Sequence, residues 1–258
     1  MKLAAIISVW ADTIDLLPHC IENFLPVVDG VIVMWSAQSN YGQRSDACYL
    51  YSVRHHPEKV VFVQHEPQQP GIRSPHDNET GKRNDGLEKA KRLGFTHVIV
   101  SDADEFYFQA DVESAKPLFE DSELNGIVCS MDVYFKCPTL YCADHTLVPF
   151  ITRLNQKSMV GNFKEFPFAY DSDGHGHIDP TRRFNYKEGI HMSGIKMHHY
   201  SWCRKDINMK IENSSARNNL KKSSIYKDLE RAAPGVYNEF YRQNLKECHN
   251  YFNLPVYE

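Results

Sequence analysis

Residues 96–107 read Thr-His-Val-Ile-Val-Ser-Asp-Ala-Asp-Glu-Phe-Tyr, an apolar run that ends in Asp102, Asp104 and Glu105. Carboxylates a few ångströms apart repel, and each titrates upward unless a cation compensates. Asp102 and Asp104 alternate at the carboxyl end of a strand, which suits a divalent ion bridging to a diphosphate. A hard cation takes oxygen ligands and keeps positions open for phosphate and water. Without an ion, the same acids would be solvated strand-end residues or caps of the next helix.

Two other stretches carry polar chemistry. Lys82-Arg83-Asn84-Asp85-Gly86 opens a helical pattern over 80–93, with Thr80 as N-cap and Gly94 just past its end. Cations in a first helical turn cost about 0.3–1 kcal/mol unless an anion lies nearby, and helix N-termini bind phosphate readily. Lys82 and Arg83 are therefore read as donor-phosphate contacts, against the plain alternative of solvated helix residues. The later stretch Met197-His198-His199-Tyr200-Ser201-Trp202-Cys203-Arg204-Lys205 places two histidines side by side. Successive strand residues face opposite sides, so one of His198 and His199 can reach a metal, and the pattern does not say which.

The elements that must hold these residues are legible as apolar runs. Leu3–Val9, Gly30–Trp35, Val60–Val63 and Val98–Val100 read as strands, and a helical pattern passes through Leu16, Leu17, Ile21 and Phe24. Strands buried on both faces and alternating with helices predict an α/β fold with a mainly parallel sheet covered on each side. Ligands then bind beyond the carboxyl ends of the strands, at the switch in strand order. Asp12, Ser36 and Asp102 all fall at those ends. After about residue 125 the pattern changes: Gly126–Val133 and Ile195–Trp202 read as strands, 134–195 is broken by prolines, and 205–231 and 235–250 read as helices. The expected division is 1–125 and 126–258, as two halves of one compact unit.

The acid cluster, with the Lys-Arg-Asn helix before it, resembles nucleotide-sugar glycosyltransferases of the GT-A fold. The stretch Gly81–Tyr107 carries the likeness, and the Asp-Ala-Asp-Glu-Phe motif is similar to that of the family-two-like branch. Matching segments run from the first strand to about Tyr107, and beyond that the likeness is loose except at 197–205. The resemblance implies a GT-A-type, Rossmann-like sheet with a nucleotide-sugar half and an acceptor-side C-terminal half. It implies that Asp104, and second Asp102, hold Mn²⁺ or Mg²⁺ against the donor diphosphate, with His198 or His199 as a late ligand. Trp10, Asp12 and Ser36 would then face the base and ribose of a donor, expected to be UDP-linked. Arg204, Lys205 and Lys210 would close over the diphosphate. Glu105 would orient the loop or meet the acceptor, and inversion of the anomeric centre is favoured. A catalytic base is sought among acceptor-half carboxylates: Glu165 and Asp179 first, Asp171 and Asp173 behind them. His175 and His177 lack further ligands for a zinc site.

Composition bounds the alternatives. The chain has 258 residues, 42% hydrophobic and 24% charged, with a net charge of −4. That gives no global pull toward nucleic acid. Residues 204–231 nonetheless hold eight Lys/Arg against four Asp/Glu. This leaves room for a phage-type DNA glycosyltransferase that modifies hydroxymethylated bases, beside sugar or glycoconjugate acceptors. A nucleotidyltransferase is disfavoured because Trp10-Ala11-Asp12-Thr13 replaces the basic Gly-rich loop of that class. A calcium-binding recognition module is the non-enzymatic alternative. Seven cysteines without C-x-x-C pairs fit reduced thiols. With no run near ~18 apolar residues, the expected setting is cytoplasm, or host cytoplasm for a viral protein, without membrane insertion.

Overall fold

The computed structural model describes residues 1–45, 58–68, 74–167, 177–214 and 222–257. Four parallel strands, β1 (Leu3–Val9), β2 (Gly30–Trp35), β3 (Val60–Gln64) and β4 (His97–Asp102), lie in the order β3-β2-β1-β4. Strand order reverses between β1 and β4. Alternating residues of β1 feed two cores: Leu3, Ala5, Ile7 and Val9 enter one, Ala4 and Ile6 the other. Helix α1 (Leu17–Phe24) covers the first face through Leu17, Cys20, Ile21 and Phe24, and helix α2 (Pro75–Arg92) the second through Leu87 and Ala90. Each fully buried Leu, Ile or Val stabilises this sandwich by about 1.5–3 kcal/mol relative to exposure. The fold is thus α/β with a parallel central sheet flanked by helices.

The sheet continues into the second half of the chain. Past β4 it runs through β7 (Leu140–Arg153), β6 (Gly126–Phe135), β9 (Ile190–Trp202) and β5 (Glu105–Phe106). Strands β6 and β9 are parallel, whereas β4–β7, β6–β7 and β5–β9 are antiparallel. The edge pair joins Glu105 to His199 and Phe106 to His198, and so carries the acid motif to the histidine strand. A short helix, α3 (Gln109–Ala115), follows β5.

Three expectations are corrected. Helix α2 starts at Pro75, not near Thr80: Ser74 caps it, accepting from the Asp77 amide while the Asp77 carboxylate accepts from the Ser74 amide. Ser followed by Pro at the first helical position is the stronger start signal, and Gly81 is carried inside the helix. Lys82 and Arg83 are therefore mid-helix. The proline-broken stretch contains the 14-residue strand β7. Its Pro149 faces Val128 beside a register shift, outside the short β4 pairing at Thr152 and Arg153, where a missing N–H is tolerated. The stretch 235–250 is not a helix but the short strands β10 (Tyr237–Asn238), β11 (Gln243–Asn244) and β12 (Lys246–Glu247). The basic 204–231 stretch resolves into α4 (Ile207–Asn213) and α5 (Lys222–Arg231). Among the described residues no helix is long and apolar enough to cross a membrane.

Candidate active site

A cleft opens at the carboxyl ends of β1, β2 and β4, at the reversal of strand order, where open α/β sheets bind their ligands. Its walls include Trp10 and Asp12 after β1, Ser36 after β2, Asp102 and Asp104 after β4, Lys82 of α2 and Lys210 of α4. Seven of the expected positions therefore meet in one place.

The turn between β4 and β5 is built from within. The Glu105 carboxylate accepts the Asp102 amide at 2.9 Å and the Ser101 hydroxyl at 3.3 Å. The Asp104 carbonyl accepts the Tyr200 amide at 2.8 Å, which ties the turn to β9. Glu105 is buried and also binds Arg182 through both oxygens, with Nη1 at 2.7 Å. It orients the loop and does not line the cleft.

Asp102 and Asp104 meet different partners. Arg83 Nη2 lies 3.1 and 3.0 Å from the two Asp102 oxygens, and Arg182 Nη2 lies 2.8 Å from Oδ2. Burial alone would push Asp102 up, but the two guanidiniums prevail and hold it below the usual carboxylate range. Asp104, 2% exposed, has Arg204 bonded to Oδ2, His199 Nε2 at 3.4 Å and Lys210 Nζ at 3.9 Å. Burial again acts upward, and His199, Arg204 and Lys210 outweigh it, so Asp104 stays ionised well below its ordinary value.

The ambiguity between the two histidines is resolved by the pleat. His199 faces Asp104, whereas His198 points into an aromatic cluster with Nδ1 2.8 Å from the Tyr134 hydroxyl. Burial lowers the His198 pKa to about 4. It is not placed to hold the same ion as Asp104. Asp104, Glu105 and His199 form the cluster whose ligand atoms lie within 4.8 Å of one another. Glu105 is engaged by Arg182 and Asp104 Oδ2 by Arg204, while the His199 Nδ1 is buried without a partner. An imidazole among the carboxylates suits Mn²⁺ better than Ca²⁺, which takes six to eight oxygens.

The remaining expected residues are placed as follows. Lys82 Nζ donates to the Val9 carbonyl at 2.5 Å and to Ser36 Oγ at 3.2 Å, and burial lowers its pKa to about 8. Asp12 receives Arg204 Nη1 at 3.3 Å, and burial pushes its carboxyl up against that pull. Trp10 Nε1 is buried without a partner at the cleft wall. Arg83 is fully buried behind Asp102, bonded also to Glu79 at 2.7 Å and to Thr181, and does not reach the cleft. Lys205 is exposed, its amide near Asp15 rather than in the cleft. Asp179 joins the cluster: its Oδ1 accepts the Thr181 amide and hydroxyl, and Oδ2 lies 3.3 Å from Arg182 Nε. Glu165 is exposed on a turn and does not line the cleft. Asp171, Asp173, His175 and the His177 side chain lie outside the described residues.

Arg182 and Glu79 are the partners that sequence reasoning missed. A signal existed: buried carboxylates demand cations, and Arg182 follows Asp179 by three residues. Six carboxylates (Asp12, Glu79, Asp102, Asp104, Glu105, Asp179) meet five cations (Lys82, Arg83, Arg182, Arg204, Lys210).

No protein-family model matches the chain, and no curated protein does. Among solved structures, S. aureus TarS aligns at 13% identity and a TM-score of 0.44, over 89% of this chain and 43% of that one. A TarS fragment in complex with UDP-GlcNAc aligns at 16% and 0.37, over 52% and 35%. The mannosyltransferase PcManGT from Pyrobaculum calidifontis, in complex with GDP-Man and Mn²⁺, aligns at 17% and 0.34, over 50% and 35%. The chain spans less than two-thirds of the length of each of these three. The fold assignment rests on the strand order and pairing given above.

Proposed function

We propose that this protein is a metal-dependent glycosyltransferase that moves a sugar from a nucleotide sugar, UDP-linked, to an acceptor hydroxyl with inversion. One observation carries the reading: the Asp104 carboxylate faces His199 Nε2 across 3.4 Å, at a cleft where strand order reverses. A bound Mn²⁺ or Mg²⁺ would offset the negative charge that develops on the leaving diphosphate. Asp104 and His199 would hold it, with Asp102 at the cleft wall. Asp102 itself is fixed by Arg83 and Arg182, so its orientation is set before any ligand arrives. Lys82 and Lys210 present ammonium groups to the same space, where donor phosphates would lie. Trp10, Asp12 and Ser36 form the wall for base and ribose.

The calcium-module alternative loses support because an imidazole stands in the cluster and Glu105, Asp102 and Asp104 each give an oxygen to an arginine, whereas a calcium cage takes six to eight oxygens. The test is Asp104→Asn. Transfer from UDP-sugars should fall by about 10²–10³ or more, and calorimetry should show UDP binding that requires Mn²⁺ in the parent protein only. Undiminished transfer by a folded Asp104→Asn protein would refute the proposal.

A further inference from the structure

A second cavity, of about 400 Å³, lies away from the cleft, between α1, the segment 108–109 and the segment 251–253. That size falls in the range of ligand pockets, about 300–1,000 Å³. Its lining pairs aromatic rings with polar ends. Phe108 and Tyr251 are 36% and 47% exposed, and they meet edge to face at 5.3 Å. Phe108 also stacks on Phe252 at 5.4 Å. Clustered exposed aromatics are uncommon on a surface that has no ligand, because their burial elsewhere would be favourable. Around them stand Glu22 and His19 of α1, Gln109 and Asn253.

The wall is built in advance. The Asn250 side chain accepts the Leu254 amide at 3.0 Å and donates to the Leu254 carbonyl at 2.8 Å, closing the turn that carries Tyr251 and Asn253. Leu254 is buried, and Phe252 packs on Phe106 of β5 at 5.2 Å. Little ordering remains to oppose binding.

We infer that this cavity is a carbohydrate subsite. A pyranose has one apolar face of C–H groups, which suits the electron-rich face of an aromatic ring, and a rim of hydroxyls. Glu22 accepts from such hydroxyls, Asn253 both donates and accepts, Gln109 offers its oxygen while its amide nitrogen donates to the Asn23 carbonyl at 3.3 Å, and His19 does either. A flat apolar ligand would leave these polar groups unused. Phe108 meets His198, on the face of β9 opposite His199 and Asp104, so the subsite stands apart from the metal pair. Its sugar chemistry does not rest on the glycosyltransferase reading.

The test uses the full chain titrated with cellobiose, maltose and chitobiose by saturation-transfer NMR, and in parallel with UDP plus Mn²⁺. At least one disaccharide should bind saturably, with strongest transfer to the C–H protons of one ring face. Tyr251→Ala and Glu22→Gln should each weaken that binding by about tenfold, while the UDP titration stays as in the parent. Absence of disaccharide binding, or binding indifferent to both substitutions, would overturn the subsite. Failure of the UDP titration in the parent would count against the nucleotide reading alone.

Discussion

Asp102 and Asp104 stand two residues apart and are separated in role by the cations each one meets. Asp102 closes a two-arginine clamp, and Asp104 turns toward His199 and Lys210. Arg182 joins the clamp to Glu105, and these two are buried. Removing one side of such a pair leaves an uncompensated charge, at a cost of about 3–5 kcal/mol. Arg182→Met should therefore lower stability by that amount in urea titration, and adding Glu105→Gln should recover part of it. Equal loss in single and double variants would show that the pair is not coupled. A second residue-scale expectation concerns His97, whose Nδ1 is 2.9 Å from Thr96 Oγ1 and whose ring packs on Phe119. Burial, aided by Arg153, lowers its pKa from 6.5 to about 4. Between those values the unfolded chain binds the extra proton, so this contribution is full above pH 6.5 and is lost as pH falls toward 4. Allowing for solvent screening, the loss is on the order of 1–2 kcal/mol. His97→Asn should flatten the melting temperature against pH over that window. The acids are legible in sequence because three charges within four positions end an apolar run; of the partners of Arg182 only Asp179 is local, and Glu105 and Asp102 lie 77 and 80 residues away.

At the scale of elements, α2 shows what local pattern could and could not reveal. Its end was readable from Gly94, which adopts φ 73° where a left-handed turn is needed. Its start was misplaced, and the error moved Lys82 and Arg83 from a phosphate-facing first turn to mid-helix. They reach the cluster instead through close packing of helix on sheet. Gly86 permits that approach: a Cβ there would lie 2.5 Å from Ile6 Cγ2 and 3.1 Å from Met34 Cγ. Helix propensity favours alanine over glycine by about 0.8–1 kcal/mol. Gly86→Ala should nevertheless destabilise the protein by about 1–3 kcal/mol, because the helix must move outward. The same shift carries Lys82 away from Val9 and Ser36, so UDP affinity should fall as well. A variant that is more stable and binds UDP normally would show that α2 is not held at this distance. Past residue 134, Ile195–Trp202 is legible as a strand, whereas β7 and the short β10–β12 are not, since their identity comes from long-range pairing that overrides local prolines and polar residues.

For the whole molecule, the joint between the halves decides how it unfolds. The expected halves 1–125 and 126–258, two parts of one compact unit, follow a change in local pattern, and one sheet passes through both. Strand β4 pairs with β7 through His97–Arg153 and Val98–Thr152, and β5 from the first half pairs with β9 from the second. One hydrophobic core includes Leu3 and Val33 together with Val148, Tyr200 and Leu254. The ion cluster spans the same joint, with Arg182 and Arg204 from the second half compensating acids of the first. Neither half can lose its structure without stripping neighbours of both kinds from the other, which is the condition for all-or-none unfolding. The three tryptophans allow this to be read: Trp10 and Trp35 report the first half, Trp202 the second. Urea transitions followed by fluorescence in Trp202→Phe and in the Trp10→Phe, Trp35→Phe double variant should share one m value. Each midpoint should also coincide with the loss of circular dichroism in the same variant. Two separated transitions within either variant would mean that the halves fold independently and that the active-site cluster is assembled by docking.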